Sequence, residues 1–151
     1  MCIRDSYQRL ERTLFKSDMS DEVRVNAAKP YLERLKMTGL TPADIDFVMC
    51  THLHADHVGW NTRLVNGCWV PTFPNARYLF TRQEYEHWQN EERRSLYTSD
   101  PFFEDSVLPV IEAGQVDLVN MEYAFADNVQ LVPPPGHTPG PVSYTRLRAH
   151  E

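Results

Sequence analysis

The 151-residue sequence predicts a single layered α/β domain. Short apolar runs with strand character alternate along the chain with segments whose apolar residues recur every three or four positions. Hydrophobic residues make up 42% of the chain, enough for a core, and no internal repeat or low-complexity segment interrupts the alternation. Strands that alternate with helices are typical of α/β and layered α+β folds.

The first part of the chain is expected to contain a helix and then a strand. Apolar residues at helical spacing predict a helix over Asp21–Lys36, with Gly39 as its stop. Pro30 interrupts this stripe, so a later start at that residue is an alternative. Thr41–Asp44 has the composition of a capped turn, and Ile45–Cys50 that of a short buried strand.

The middle of the chain is expected to add a strand and a helix. Asn66–Gly67 marks a turn, and Arg77–Phe80 is predicted to be a second short strand. Thr81 is expected to cap a helix that continues through Trp88, with Glu84 completing a capping box. The acidic residues of this region are expected to form a solvated helix face: Glu84, Glu86, Glu91 and Glu92.

The last part of the chain predicts one more helix and two strands. The helix covers Phe102–Glu112 and is ended by Gly114. Strands are predicted at Val116–Val119 and Val129–Val132. The second of these strands leads directly into the loop Pro133–His137. The end of a strand is a favourable place for a functional side chain.

Composition excludes some classes of function. The chain has 21 acidic and 15 basic residues and a net charge of −6, which is unfavourable for binding a nucleic-acid backbone. No apolar run is long enough to span a membrane, so neither a membrane nor nucleic acid is expected as a partner. Three cysteines without paired spacing indicate no disulfide framework, and the cytoplasm is the default expectation. Cys50 and Cys68 are expected to pack in the core.

The residues after the predicted strand Ile45–Cys50 form a candidate metal site. His52 and His54 are two positions apart, so in an extended segment both imidazoles point the same way. Asp56 and His57 follow, and after a turn of the chain they can serve a second ion. Imidazole and carboxylate ligands suit zinc. A histidine-rich solvated loop is the alternative interpretation.

Four further residues could belong to this site. His137 follows a predicted strand in a Pro/Gly loop. By itself it is better explained as a loop histidine without function, and only the histidine cluster after the strand Ile45–Cys50 makes it a candidate ligand. Trp60 comes directly after the histidine cluster, and Trp69 and Phe73 lie in the turn-rich stretch that follows. These three rings could wall an apolar substrate pocket, although packing in the core explains them as well.

Two segments together resemble the metallo-β-lactamase superfamily: Thr51–Asn61 and Pro135–Gly140. Within it, the chain is most similar to the branch that includes the acyl-homoserine lactonases and methyl parathion hydrolase. The resemblance implies part of a four-layer αββα sandwich. It also implies that one zinc is held by His52, His54 and His137, and that a second zinc site begins with Asp56 and His57.

The function that the resemblance implies is zinc-dependent hydrolysis of a lactone, ester or related bond in a small-molecule substrate. A metal-activated hydroxide would be the nucleophile, because a metal lowers the pKa of water from 15.7 to about 7. Asp56 could orient this nucleophile while binding metal. A glyoxalase II-like thioester hydrolase is an alternative branch, although those relatives usually have Gly-Gly where this chain has Gly59-Trp60. His54 stands where flavodiiron relatives would have Glu, which favours zinc chemistry.

Both ends of the chain resemble translated sequencing-library adapters. The segments are Met1–Ser6 and Pro141–Glu151, with Arg146 as the one departure. The expected organisation is therefore adapter-derived residues 1–6, a partial metallo-β-lactamase-fold domain over 7–140, and adapter-derived residues 141–151. Two unusual natural termini are the alternative. The family's bridging Asp and last His are not found after Gly140, so a catalytically inactive zinc-binding fragment is the second functional hypothesis.

Overall fold

A computed structural model describes residues 31–126, 129–134 and 136–146. Residues 31–37 are helical, and short 3-10 turns cover Pro42–Asp44 and Gly59–Asn61. The helices are α1 (Ala55–Val58), α2 (Arg82–Trp88), α3 (Glu91–Tyr97), α4 (Phe102–Ser106) and α5 (Leu108–Glu112). The strands are β1 (Phe47–Met49), β2 (Thr62–Val65), β3 (Cys68–Pro71), β4 (Arg77–Thr81), β5 (Val116–Val119), β6 (Ala124–Ala126), β7 (Val129–Val132) and β8 (Ser143–Arg146).

The strands form two sheets and a hairpin. Parallel strands make the first sheet in the order β1-β4-β5, and antiparallel strands make the second in the order β6-β7-β8. β2 and β3 pair as a hairpin whose turn residues, Asn66 and Gly67, both have positive φ. Such a turn matches the twist of the two strands and favours Asn-Gly, which explains the turn signal in the sequence.

Strand β4 separates two parts of the core. Tyr78 and Phe80 face the cluster that contains the helix residue Phe102, whereas Leu79 faces Leu131 of the second sheet. Alternate side chains of a strand point to opposite faces of the sheet. The first sheet is therefore covered by helices on one face and by the second sheet on the other. This confirms the predicted layered α/β fold class.

Most predicted elements are present, with some differences in their limits. The predicted helix Phe102–Glu112 is two helices that meet at Val107, because Pro109 in the first turn of α5 has no N–H to donate to a continuous helix. β1 was predicted as buried, but Phe47 is 49% exposed, since β1 lies at one side of its sheet. Residues 21–30 of the first predicted helix lie outside the described residues.

Three expectations about single residues need correction. Glu84 is not part of a solvated face: it is 1% exposed, whereas Glu86, Glu91 and Glu92 are exposed as expected. The Thr81 hydroxyl caps α2 by accepting a hydrogen bond from the Glu84 N–H, but the Glu84 carboxylate bonds elsewhere instead of completing a capping box. Cys50 is a free buried thiol, as predicted, but Cys68 is disulfide-bonded, so the predictions of simple packing at Cys68 and of cysteines without a disulfide are wrong.

β8 lies in the segment that the sequence predicts to be adapter-derived. It pairs with β7 in register from Val129 opposite Arg146 to Val132 opposite Ser143. The origin of that segment stays a prediction. Within the residues that the structure describes, no helix is both long and apolar enough to cross a membrane.

Candidate metal centre

The first two candidate ligands lie where β1 gives way to α1. His54 has extended backbone torsions (φ −79°, ψ 154°), and the helix begins at the next residue, Ala55. The His57 N–H donates to the His54 carbonyl at 2.9 Å, which closes the first turn. His54 is extended and a helical turn follows it, as predicted, but Thr51 and His52 lie in a bend, so the two imidazoles are not carried by one extended segment.

The third histidine joins them from the loop between β7 and β8. One ring nitrogen from each of His52, His54 and His137 lies within 4.8 Å of the others. The ring centroids are separated by 4.6 Å for His52 and His54, 4.9 Å for His52 and His137, and 4.7 Å for His54 and His137. His52 and His54 are buried, and His137 is exposed. The structure thus brings together the three residues of the first predicted site.

His52 has the properties of a metal ligand. Its Nδ1 lies 3.1 Å from the Thr51 hydroxyl, while its buried Nε2 has no hydrogen-bond partner among the described residues. A buried polar atom without a partner is costly, and a cation at this position would satisfy it. Burial, followed by the neighbouring histidines His57, His54 and His137, lowers the pKa of His52 to about 4. The ring is therefore neutral at pH 7, the form that binds metal ions.

Asp56 and His57 lie beside this group. The His57 ring centroid is 4.0 Å from that of His52, and its Nε2 is 3.6 Å from a carboxylate oxygen of Asp56. The Asp56 side chain is 66% exposed and that of His57 is 42% exposed. These two residues are adjacent to the three-histidine group but do not join its converging ring nitrogens.

The loop that carries His137 is held in place by the residues before and after it. After the loop, the Val142 N–H donates to the Thr51 carbonyl at 2.8 Å, which places the start of β8 against the residue that precedes His52. Val142 and Leu131 are both buried in the second part of the core. The antiparallel pairing of β7 with β8 therefore holds His137 near β1 although the two segments are distant in sequence.

A cavity of about 630 Å³ opens beside the histidines. Its side-chain walls include Trp88 and Tyr97, and the Tyr97 ring stacks on His54 at 4.5 Å. Neither residue is a pocket candidate from the sequence, where the only local signal is an aromatic side chain at the last position of a helix. The full lining is His54, His87, Trp88, Tyr97, Gly136, His137, Thr138 and Pro139.

The three predicted pocket residues lie elsewhere. Phe73 is 4% exposed and belongs to the main core cluster. The Trp60 ring contacts Tyr31, with centroids 4.8 Å apart, and Trp69 lies on β3 of the hairpin. None of the three lines the cavity beside the histidines.

Comparison with known families agrees with this geometry. The family model described as "Metallo-beta-lactamase superfamily" matches residues 25–149, more than half of the chain. The chain belongs to this superfamily. The metallo-β-lactamase match includes the described parts of both segments that carry the candidate ligands, at residues 52–57 and at His137.

Individual superfamily members are similar over part of their length. An N-acyl homoserine lactonase from Bacillus sp. is 30% identical over 106 residues, which cover 70% of this chain and 34% of the relative. The chain thus spans about a third of that relative. Among solved structures, Bacillus thuringiensis AiiA with N-decanoyl-L-homoserine bound has a TM-score of 0.51 at 27% identity, covering 75% of this chain and 37% of that one. The dizinc lactonase AidC has a TM-score of 0.61 at 22% identity, covering 80% and 43%, and shows the fold alone.

Proposed function

We propose that this chain carries the first metal site of a zinc-dependent hydrolase that opens a small lactone or ester. The observation that carries the proposal is the convergence of three histidine ring nitrogens within 4.8 Å. The unpartnered Nε2 of His52 supports it, because a buried imidazole nitrogen is satisfied by an ion at that position. Superfamily membership makes the same metal-dependent chemistry the expected one.

The chain's own residues would supply ligands and orientation. His52, His54 and His137 would hold one zinc ion, with three protein ligands and one open position as in catalytic zinc sites. When bound, zinc acts as a Lewis acid and lowers the pKa of water from 15.7 to about 7. The Thr51 hydroxyl, 3.1 Å from Nδ1 of His52, would fix the orientation of that ring.

Asp56 and His57 would begin the second metal site. Both side chains are substantially exposed, at 66% for Asp56 and 42% for His57, so they can be reached by an ion or a substrate. The Asp56 carboxylate, 3.6 Å from His57 Nε2, would hold a nucleophile in place beside the ion. We expect Asp56→Asn to lower the rate of hydrolysis while leaving zinc binding at the three histidines intact.

The cavity favours a substrate with an apolar group next to the bond that is cleaved. Tyr97 is 46% exposed and stacks on His54, while Trp88 lines the cavity although it is mostly buried. An acyl chain or similar group could pack against Tyr97 while the reactive carbonyl faces the histidines. The relatives named N-acyl homoserine lactonase are consistent with a lactone that carries such a group.

Zinc binding and hydrolysis of the purified 151-residue chain test the proposal. Zinc content is measured after dialysis, and hydrolysis of an acyl lactone and of an aryl ester is followed with and without zinc. We expect zinc to bind and any zinc-dependent hydrolysis to disappear in His52→Ala. A folded chain that binds no zinc would contradict the proposal.

A second candidate function is zinc binding without turnover by this chain. In the described residues, three ring nitrogens converge, while Asp56 and His57, although adjacent to the group, do not join that convergence. The chain also spans only about a third of the lactonase relative. One bound zinc and no hydrolysis above the His52→Ala background would favour this candidate, whereas two tightly bound zinc ions with rapid turnover would eliminate it.

A further inference from the structure

Glu84 is a buried carboxylate that the proposed chemistry does not use. It lies in the first turn of α2 and is 1% exposed, although its neighbour two positions later, Glu86, is exposed. A buried charge is strongly unfavourable unless it is paired or hydrogen-bonded. The partners of this carboxylate therefore indicate why it is tolerated.

The carboxylate accepts hydrogen bonds from both loops that carry the candidate ligands. Oε2 accepts from the backbone N–H of Leu53 at 3.1 Å, and Oε1 accepts from the backbone N–H of Gly140 at 2.9 Å. Leu53 stands between His52 and His54, and Gly140 follows His137 by three residues. One side chain thus connects the two segments, which are otherwise far apart in the sequence.

A third bond fixes the carboxylate itself. The Trp88 indole N–H, one turn later on α2, donates to Oε2 at 3.0 Å. Burial alone would raise the pKa of Glu84, but hydrogen bonds donated to the carboxylate outweigh it and hold that pKa below its usual value. The ionised side chain therefore makes charge-assisted hydrogen bonds, which are stronger than neutral ones.

We propose that Glu84 is a positioning residue for the three-histidine site: its carboxylate ties the His52–His54 segment to the His137 loop and so sets the spacing of the three ligands. This role rests on the proposed metal centre. Glu84 does not bind the metal in this proposal, because both of its oxygens are occupied by N–H donors of the protein. Residues that orient ligands in this way affect metal affinity without contacting the ion.

Glu84→Gln is the informative variant because an amide cannot replace all three bonds. If the amide oxygen accepts from Leu53 and Trp88, the amide NH₂ faces the Gly140 N–H and the bond to Gly140 is lost. In the opposite orientation the bonds to Leu53 and Trp88 are lost. At least one loop is therefore released in either case. Glu84→Asp keeps the charge but is one methylene shorter, so we expect an intermediate effect. Glu86→Gln is the matched control on the exposed face of the same helix.

The experiment measures zinc affinity by competition with a coloured chelator and the visible spectrum of the cobalt(II)-loaded chain. We expect Glu84→Gln to weaken zinc binding roughly 10- to 100-fold and to change the cobalt spectrum. Glu86→Gln is expected to keep the zinc affinity and the cobalt spectrum of the wild type. Glu84→Asp is expected to bind zinc more tightly than Glu84→Gln but less tightly than the wild type. A folded Glu84→Gln chain with wild-type zinc affinity and cobalt spectrum would overturn the positioning role.

Amide hydrogen exchange of the unmutated chain gives a second test that needs no variant. We expect the Leu53 and Gly140 amides to exchange slowly without metal, since both are bonded to the buried carboxylate. Exchange as fast as that of exposed amides would overturn the proposal even if Glu84→Gln fails to fold. A wild-type chain that binds no zinc contradicts the proposed function itself, whereas equal zinc binding by wild type and Glu84→Gln contradicts only the role of Glu84.

Discussion

The Thr81 hydroxyl donates a hydrogen bond to the carbonyl oxygen of Gly140 across 2.6 Å. This bond connects the N-cap of α2 to the segment that follows His137. The two backbones approach so closely that a Cβ built on Gly140 would lie 2.5 Å from Cβ of Gln83 and 2.9 Å from the backbone nitrogen of Glu84. Contacts this short leave no room for any side chain at position 140.

Replacement of Gly140 should therefore displace the His137 loop. We expect Gly140→Ala to cost about 1–3 kcal/mol of unfolding free energy, typical of overpacking, and to weaken zinc binding because His137 moves with the loop. Gly136→Ala is the matched control, since a Cβ there meets nothing within 4 Å. Urea unfolding and zinc competition measure both effects. Equal behaviour of the two variants would argue against a tight contact at Gly140.

Removal of a candidate ligand should abolish tight zinc binding. We expect His137→Ala to lose more affinity than the roughly 10–100-fold typical of residues outside the ligand shell, because it removes a direct ligand. His87→Ala is the control: His87 lines the same cavity, but its ring is not in the three-histidine group. Calorimetric titration with zinc separates the two. Zinc binding by His137→Ala at wild-type strength would remove His137 from the site.

Metal removal should lower the stability of the chain. A ligand that binds only the folded state at 100 times its dissociation constant stabilises that state by about 2.7 kcal/mol. We expect zinc to raise the midpoint of thermal unfolding and a chelator to reverse the shift. In His52→Ala both additions should have no effect, because the buried ligand is gone. A zinc-induced shift of the same size in that variant would indicate binding at another site.

Alkaline conditions should destabilise the core around β4. Burial raises the pKa of Tyr78 from its ordinary value of 10.0 to about 12. The neutral phenol of Tyr78 therefore stabilises the fold fully below pH 10, and this stabilisation is lost as the pH rises through 12. For a pKa shift of this size the lost unfolding free energy is about 3 kcal/mol. Burial also raises the pKa of Cys50, to about 12, so the thiol adds to the loss over a similar range.

Tyr78→Phe distinguishes the contribution of the phenol. This variant loses the hydrogen bond donated to the Asn61 carbonyl and the one accepted from the Phe73 N–H, so it should be less stable at pH 8. Between pH 10 and pH 12, however, its unfolding free energy should fall less steeply than that of the wild type. Urea unfolding at several pH values provides the measurement. Parallel curves for the two chains would show that Tyr78 does not titrate as expected.

Short-range features of the site were accessible from the sequence. His52, His54, Asp56 and His57 lie within six positions, so the geometry of one strand end and one helical turn is enough to place them on neighbouring sides. The strands at Arg77–Thr81, Val116–Val119 and Val129–Val132 were likewise predictable, because each is a compact run of residues with strand character.

Features that depend on distant packing were not accessible in this way. Glu84 has the spacing of a capping box and the composition of a solvated helix face, yet it is buried because the Gly140 segment, 56 positions away, covers it. Trp60, Trp69 and Phe73 follow the histidines in sequence, but the cavity is lined by Trp88 and Tyr97, which reach it through the packing of α2 and α3. Local composition contains no information about such contacts.

The two segments that carry the candidate ligands show which features depend on local sequence and which depend on tertiary structure. Local sequence places the two imidazoles next to one another, since His52 and His54 are only two positions apart and need no other part of the chain to bring them together. The third imidazole and the carboxylate that links the two loops depend on how β7 and β8 stack against β4, where Leu131 and Val142 pack with Leu79. Burial of apolar surface between the two sheets provides the free energy for that stacking. The distance between His137 and His52 is therefore a consequence of the folded core.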